Sequence, residues 1–444
     1  MRLNTAASMT RTQTHEGAPA KRMTAMQALR RSVMSALLWE KEFYEDGEEI
    51  ALRVQRLAGD VPVEDLAALA IELRTEGKLR HMPLLLLSVL ARRAPGSSLV
   101  SDTIAQVLRR PDEMPELLAI HAHLNGVGPD RLKKVLPAQM KKGVARAFGR
   151  FDAYQLAKYD REGPIRLRDV LFLSHAKPEG EAQKEIWEKL IAGKLEAPDT
   201  WEVALSAGSD KRETFTRLLS EGKLGYLALL RNLRNMVEAG VDEKLIRDAI
   251  LARKGAGNVL PFRFTAAARA CPRMEAALDE ALGEVILEMP RLEGRTLVLV
   301  DVSGSMDDKL SGKSDMTRAD AAATLGSVIH GDLRVFTFSE RTVEVPARRG
   351  MAGVDAILRS QPHYGTELGG AVRLANGIPH DRLIVITDEQ SRTPVPDPVA
   401  KRAYMINVAS NAHGVGYGKW THIDGFSENV LRFIHEVEAQ GEAA

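Results

Sequence analysis

A single cysteine, Cys271, stands among 444 residues. It excludes an internal disulfide and any thiolate-cluster zinc site, and its default role is a small core residue. Long apolar runs are missing too, since none approaches the roughly 18 residues needed to cross a bilayer. The N-terminus carries charges and threonines where a leader would be apolar, so a cytoplasmic protein with no membrane partner is expected. Net charge is nearly absent, +1 overall. With 44% hydrophobic and 27% charged residues the composition is that of a globular protein, and the length calls for two or three domains. No nucleophile, base and orienting group stand in a catalytic pattern, so an enzyme is not expected.

What is present divides the chain in two. Residues 1–22, with few apolar groups, read as a flexible tail. From residue 23 to 290 the apolar spacing is helical. Val63, Leu66, Leu69, Ala70 and Leu73 recur on one face behind Asp60 and Pro62. The same signal returns at 83–91, 101–109, 115–124, 144–159, 167–173, 182–191, 213–219, 226–237 and 244–252. Short helices in series cannot each bury an apolar face alone, which predicts stacked antiparallel pairs in a solenoid or closed ring. His121 and His123 point apart on their helix and predict structural roles. Arg231 and Arg234 share a helical face, with an ion pair to a neighbouring helix as the expected outcome.

The small net charge hides a local excess. From Arg131 to Arg168 eleven basic residues face three acidic ones, Asp152, Asp160 and Glu162. Such a surplus is a phosphate-binding footprint or a solvated face. Lys133, Lys134, Lys141, Lys142, Lys158 and Arg161 belong to it. Lys158 offers a point charge to phosphate. His175 can stack on a base, and Tyr159 can contact a base or pack in the core.

Past Pro290 the period switches. Thr296–Val300 is a short apolar run entering Asp301, Ser303 and Ser305. That pattern predicts a buried parallel strand delivering oxygen ligands at i, i+2 and i+4 for a hard divalent cation. Thr366 follows Gly365 on a second loop, and Leu383–Thr387 is another strand pattern ending at Asp388. In an open α/β sheet such residues converge outside the carboxyl strand ends. Helices at 317–329, 354–360, 367–376 and 428–437 alternate with strands at 333–338, 342–346, 383–387 and 403–408, predicting a doubly wound sheet over 291–444. The loop 307–315 reads as a mobile rim.

Asp301, Ser303, Ser305, Thr366 and Asp388 resemble the metal-ion-dependent adhesion site of von Willebrand factor A domains, which implies Mg²⁺ or another divalent cation such as Mn²⁺. Ala36–Gly47, Tyr154–Tyr159, Arg168–Pro178, Trp201–Leu205 and Leu227–Met236 resemble the TROVE module of the Ro autoantigen family. The two halves in this order are similar to the Ro architecture. That resemblance implies a ring of HEAT-like helical repeats over 23–290, closed by the A domain over 291–444. It also implies a ribonucleoprotein scaffold with single-stranded RNA ends in a basic hole and structured, non-coding Y-type RNA outside. Lys158 and His175 fall in the family motif that contacts RNA, with Tyr159 and Arg161 beside them. A nuclease or another protein is a conceivable further partner. The competing reading is an A-domain adaptor for an ATPase or assembly complex without RNA, which has no need of the basic segment.

Overall fold

The computed structural model describes residues 25–35, 47–75, 77, 79–310, 316–408, 415, 419–424, 430, 431, 434, 435 and 438. The tail expected at 1–22, most of the rim at 307–315 and most of the closing helix at 428–437 lie outside them. Two compact units form, one from residues 25–33 and 48–210, the other with its body at 211–444.

The first unit is helical. Its elements are α1 (Ala25–Ser35), α2 (Gly47–Gly59), α3 (Val63–Thr75), α4 (His81–Arg93), α5 (Ser98–Val107) and α6 (Glu113–Leu124). They are followed by α7 (Ala138–Phe148), α8 (Ala153–Tyr159), α9 (Leu167–Ser174), α10 (Glu181–Ile191) and α11 (Trp201–Ser206). Alternate helices stack, α3 on α5, α5 on α7 and α7 on α9, while α4 packs on α6. Every residue of α4 from Met82 to Ala91 is buried, the mark of a helix enclosed on all sides. Gly143 lets α7 approach α5: a Cβ there would lie 2.8 Å from the Ser101 carbonyl.

The helix expected at 144–159 is two helices. Apolar spacing continues through Phe148 and Phe151, but Asp152 accepts from the Gln155 amide while the Gln155 side chain accepts from Asp152 N. This capping box starts a new helix, and no intrahelical bond crosses the gap. His121 is buried between the Ser88 hydroxyl at 2.9 Å and the Val135 carbonyl at 3.1 Å, and His123 is exposed. Burial pushes His121 down, against the opposing carbonyl.

The second unit opens with α12 (Lys211–Ser220), α13 (Tyr226–Glu238), α14 (Glu243–Leu251), α15 (Phe262–Ala270) and α16 (Glu275–Leu287). It continues with β1 (Leu292–Asp301), α17 (Arg318–Val328), β2 (Gly331–Phe338), β3 (Thr342–Val345), α18 (Gly350–Leu358) and α19 (Leu368–Asn376). Strands β4 (Arg382–Thr387), β5 (Arg402–Asn407) and β6 (Thr421–Asp424) complete it. The switch of period at 290/291 is therefore not a packing boundary. Helices α15 and α16 pack on the α/β part, with Thr324 donating to Thr265 at 3.1 Å and Asp279 accepting from Met351 N at 2.7 Å. Arg231 and Arg234 do not form the expected ion pair. Helix α13 buries Leu229, Leu230, Leu233 and Met236, which turns both arginines outward, and neither has an ion pair among the described residues.

The sheet order is β3-β2-β1-β4-β5-β6, parallel except for β3. Leu297 and Leu299 of β1 join Leu383, Val385 and Met405 in a core covered by Leu368 and Val372 of α19. On the other face Gly326 brings α17 against Val300 and Ile386. Chain progression reverses between β1 and β4, and ligands gather outside the carboxyl ends of strands at such a switch point.

Candidate functional site

Asp301 and Asp388 end β1 and follow β4, on either side of the switch point, and both are fully buried. Asp301 accepts from Ser303 N at 2.8 Å and from the Thr387 hydroxyl at 2.6 Å. The hydroxyl oxygens of Ser303 and Ser305 are 3.4 Å apart. Gly304 N donates to the Tyr364 carbonyl at 2.8 Å, which holds the loop of buried Thr366 against this turn. A Cβ at Gly304 would sit 3.4 Å from that same carbonyl oxygen. Ser339, just after β2, fixes the Thr366 loop from behind: its hydroxyl takes the Tyr364 amide at 2.8 Å and its carbonyl the Glu367 amide at 2.8 Å. The structure thus brings all five expected residues to one edge of the sheet.

Burial and the facing Asp388 carboxylate push Asp301 well above the usual carboxylate range. Two buried carboxylates beside two serine hydroxyls form a donor set for a hard cation that accepts oxygen ligands. Among the described residues no three His, Cys, Asp or Glu side chains form a metal cluster, so a cation here would rely on the hydroxyls. Sequence reasoning missed Arg318. Its side chain is 4% exposed, and Nη1 lies 3.2 Å from the Ser305 carbonyl and 3.4 Å from Asp388 Oδ2. No local pattern marks it, because it comes from the first turn of α17.

The basic residues occupy the helical unit. Lys158, at the end of α8, has its ammonium 5.7 Å from the Tyr154 ring centre and 5.8 Å from that of Tyr159. The Tyr159 ring also lies under Arg110, 4.6 Å away, so Tyr159 is half-buried while Tyr154 is exposed. The spacing Tyr154-x-x-x-Lys158 was the available signal for this pair. His175 caps α9 in the left-handed region, φ 55° and ψ 35°, and is exposed. Lys141 on α7 lines a crevice with Leu173 and Ser174, next to His175 in the chain. Lys133 and Lys134 stand exposed on the 3₁₀ turn before α7, and Lys142 is exposed on α7.

Pairing separates the acceptors from the available cations. Arg166 takes both Asp160 and Glu162, at 3.4 and 3.1 Å, and Arg146 takes Asp102. The two acids that interrupt the basic run thus share one guanidinium, which offsets part of their charge locally. Lys133, Lys134, Lys141, Lys142, Lys158 and Arg161 make no ion pair among the described residues. Burial, and to a lesser degree the neighbouring Arg109 and Arg146, push Arg150 down.

The TROVE domain model matches residues 179–284. Telomerase protein component 1 of Mus musculus is 34% identical over 100 residues, 21% of this chain and 4% of that protein. The Rattus norvegicus counterpart is 33% identical over the same shares. The match thus spans a small fraction of these relatives' length. The crystal structure of the Deinococcus radiodurans Ro (RSR) protein superimposes with a TM-score of 0.63 at 18% identity, covering 94% of this chain and 100% of that one. That likeness establishes a common fold. Residues 179–284 thus match the TROVE domain, within a chain that shares the helical and α/β fold of the Ro protein.

Proposed function

We propose that this protein is an RNA-binding ribonucleoprotein scaffold without catalytic activity. Its helical unit holds single-stranded ends of non-coding or misfolded RNA, and structured Y-type RNA binds elsewhere on its surface. The observation that carries this reading is Lys158, an ammonium with no ion pair among the described residues, set between two tyrosine rings. Cations that follow a phosphate backbone beside aromatic faces that accept any base are what a single strand requires. Phosphate attraction alone does not separate RNA from DNA, and contacts to 2′-hydroxyls would supply that preference.

In the same reading the Asp301–Asp388 cluster is an adhesion-type site of a von Willebrand factor A domain. Ser303, Ser305 and Thr366 would hold Mg²⁺ or Mn²⁺, with Asp301 and Asp388 acting largely through water, since Mg²⁺ dehydrates reluctantly. When bound, the ion supplies an open coordination position for a partner's carboxylate. A cytoplasmic location accords with this role. Crosslinking and sequencing of RNA bound to the full chain, with titration of a labelled oligonucleotide bearing a free 3′ end, tests the proposal. Recovery of RNA and salt-sensitive binding are expected. Absence of both would replace it with a protein-interaction adaptor.

A further inference from the structure

The carboxylate–hydroxyl cluster already contains a cation of its own. Arg318 is the first residue of α17, behind a Thr317 cap whose hydroxyl accepts from Asp320 N while the Asp320 carboxylate accepts from Thr317 N. Its own amide donates to the Asp308 carbonyl at 2.9 Å. All of α17 from Arg318 to Val328 is buried, so the helix cannot slide or turn to release the side chain. The guanidinium lies against the Ser305 carbonyl and Asp388, and 3.7 Å from Asp308 Oδ2. It therefore touches the turn that carries one expected hydroxyl ligand and the carboxylate on the opposite side of the switch point. The first turn of α17 adds the positive end of its helix dipole to the same place.

Resting on the reading of this cluster as a divalent-cation site, we infer that Arg318 is a tethered competitor of the metal. It neutralises Asp388 and weakens the site's affinity for divalent ions. The physical reason is charge. Two buried carboxylates without a counter-ion are costly to keep ionised together. Arg318 relieves that cost in the metal-free protein, and a divalent ion must then enter a cluster of reduced negative charge beside a fixed positive group. Buried like charges are poorly screened by salt, so the effect persists at physiological ionic strength. Arg318 acts here as a positioning residue that tunes the site.

Calorimetric titration of the full chain with Mn²⁺ tests this, on the parent, Arg318→Gln, Arg318→Lys and Asp301→Ala. Mn²⁺ affinity at least ten-fold tighter in Arg318→Gln, with Arg318→Lys within about three-fold of the parent, is expected. Binding by Arg318→Gln where the parent shows none supports the inference in its strongest form. Parent binding that is unchanged or weakened in Arg318→Gln overturns it and leaves the metal reading standing. No binding by any variant overturns both. Asp301→Ala must lose Mn²⁺ in either background, which separates the cluster from adventitious surface sites. Circular dichroism melts confirm folding, and Arg318→Lys keeps the charge should Arg318→Gln unfold; Lys binding ten-fold tighter than the parent would then count against competition by charge.

Discussion

Replacing His175 by glycine separates a folding role from a binding role at one position. His175 holds φ 55°, a region that costs a non-glycine residue about 1–2 kcal/mol. Glycine carries no such cost, but it loses about 0.4–1 kcal/mol through the extra freedom of the unfolded chain. The net change in stability at this helix end is therefore between nil and about 1.6 kcal/mol in favour of the variant. If the imidazole stacks on a base, its removal costs about 1–3 kcal/mol of binding, roughly 5- to 150-fold in affinity. The assay is fluorescence anisotropy of a labelled single-stranded RNA with a free 3′ end, alongside thermal melting. Unchanged or raised melting temperature with affinity lowered at least five-fold is expected. Affinity within two-fold of the parent, with melting unchanged, would show that His175 lies off the path of the strand.

Lys158→Ala should flatten the plot of log affinity against log salt by about 0.7, the loss of one phosphate contact on a single strand; the same slope as the parent at every length of oligonucleotide would remove Lys158 from the interface. Asp301→Ala should abolish Mg²⁺ and Mn²⁺ binding in calorimetry and leave RNA affinity within two-fold, and a parallel loss of RNA binding would contradict separate sites. Arg382→Met should lower the melting temperature of the second unit, because Arg382 is fully buried and donates to Glu438, the Thr296 hydroxyl and the Glu293 carbonyl; breaking such a pair costs about 3–5 kcal/mol. Glu438 is itself half-buried, which acts to raise it, but its bonds to Arg382 and Tyr404 prevail and hold it below the usual range. That contribution is present above the unfolded value of about 4.3 and is lost as pH falls through the lower folded value. Glu438→Gln should therefore melt below the parent at pH 7 and converge with it in acid, and a gap that widens in acid would reverse the sign of the argument.

The convergence of Asp301, Ser303, Ser305 and Asp388 was legible because they follow short apolar strands whose ends meet at a switch point whatever separates them in sequence; Thr366, on the loop between α18 and α19, was marked only by its glycine-bearing turn. Strand β6 was not, since Thr421–Asp424 is only four residues long and its one inward pattern is too brief to register. The break between α7 and α8 was written in Asp152 and Gln155, but the apolar period running through Phe151 concealed it. In helix α15 alanines make up half of the buried face, Ala267 and Ala268 beside Phe264 and Thr265, which leaves a weak signal, whereas α16 buries Leu278, Leu282, Val285 and Ile286 at helical spacing and was legible in principle. The unit boundary at 210/211 left no local trace, because helices on both sides have the same period and only tertiary packing assigns them. The same holds for Arg318, whose role depends on which edge of the sheet its helix meets. Arg231 and Arg234 were assigned an ion pair on frequency alone, and neither makes one among the described residues.

The parallel pairing of β1 with β4 has a consequence for the order of events when the chain folds. Asp301 and Thr387 meet although 86 positions separate them, with two strands and three helices lying between β1 and β4 in the chain. Contacts so distant in sequence are among the slowest to form. A nascent or partly folded chain therefore has neither the paired carboxylates nor the clasp between the Gly304 and Tyr364 loops. Any property assembled there is absent until the second unit is complete, which makes the cluster a natural reporter of finished folding.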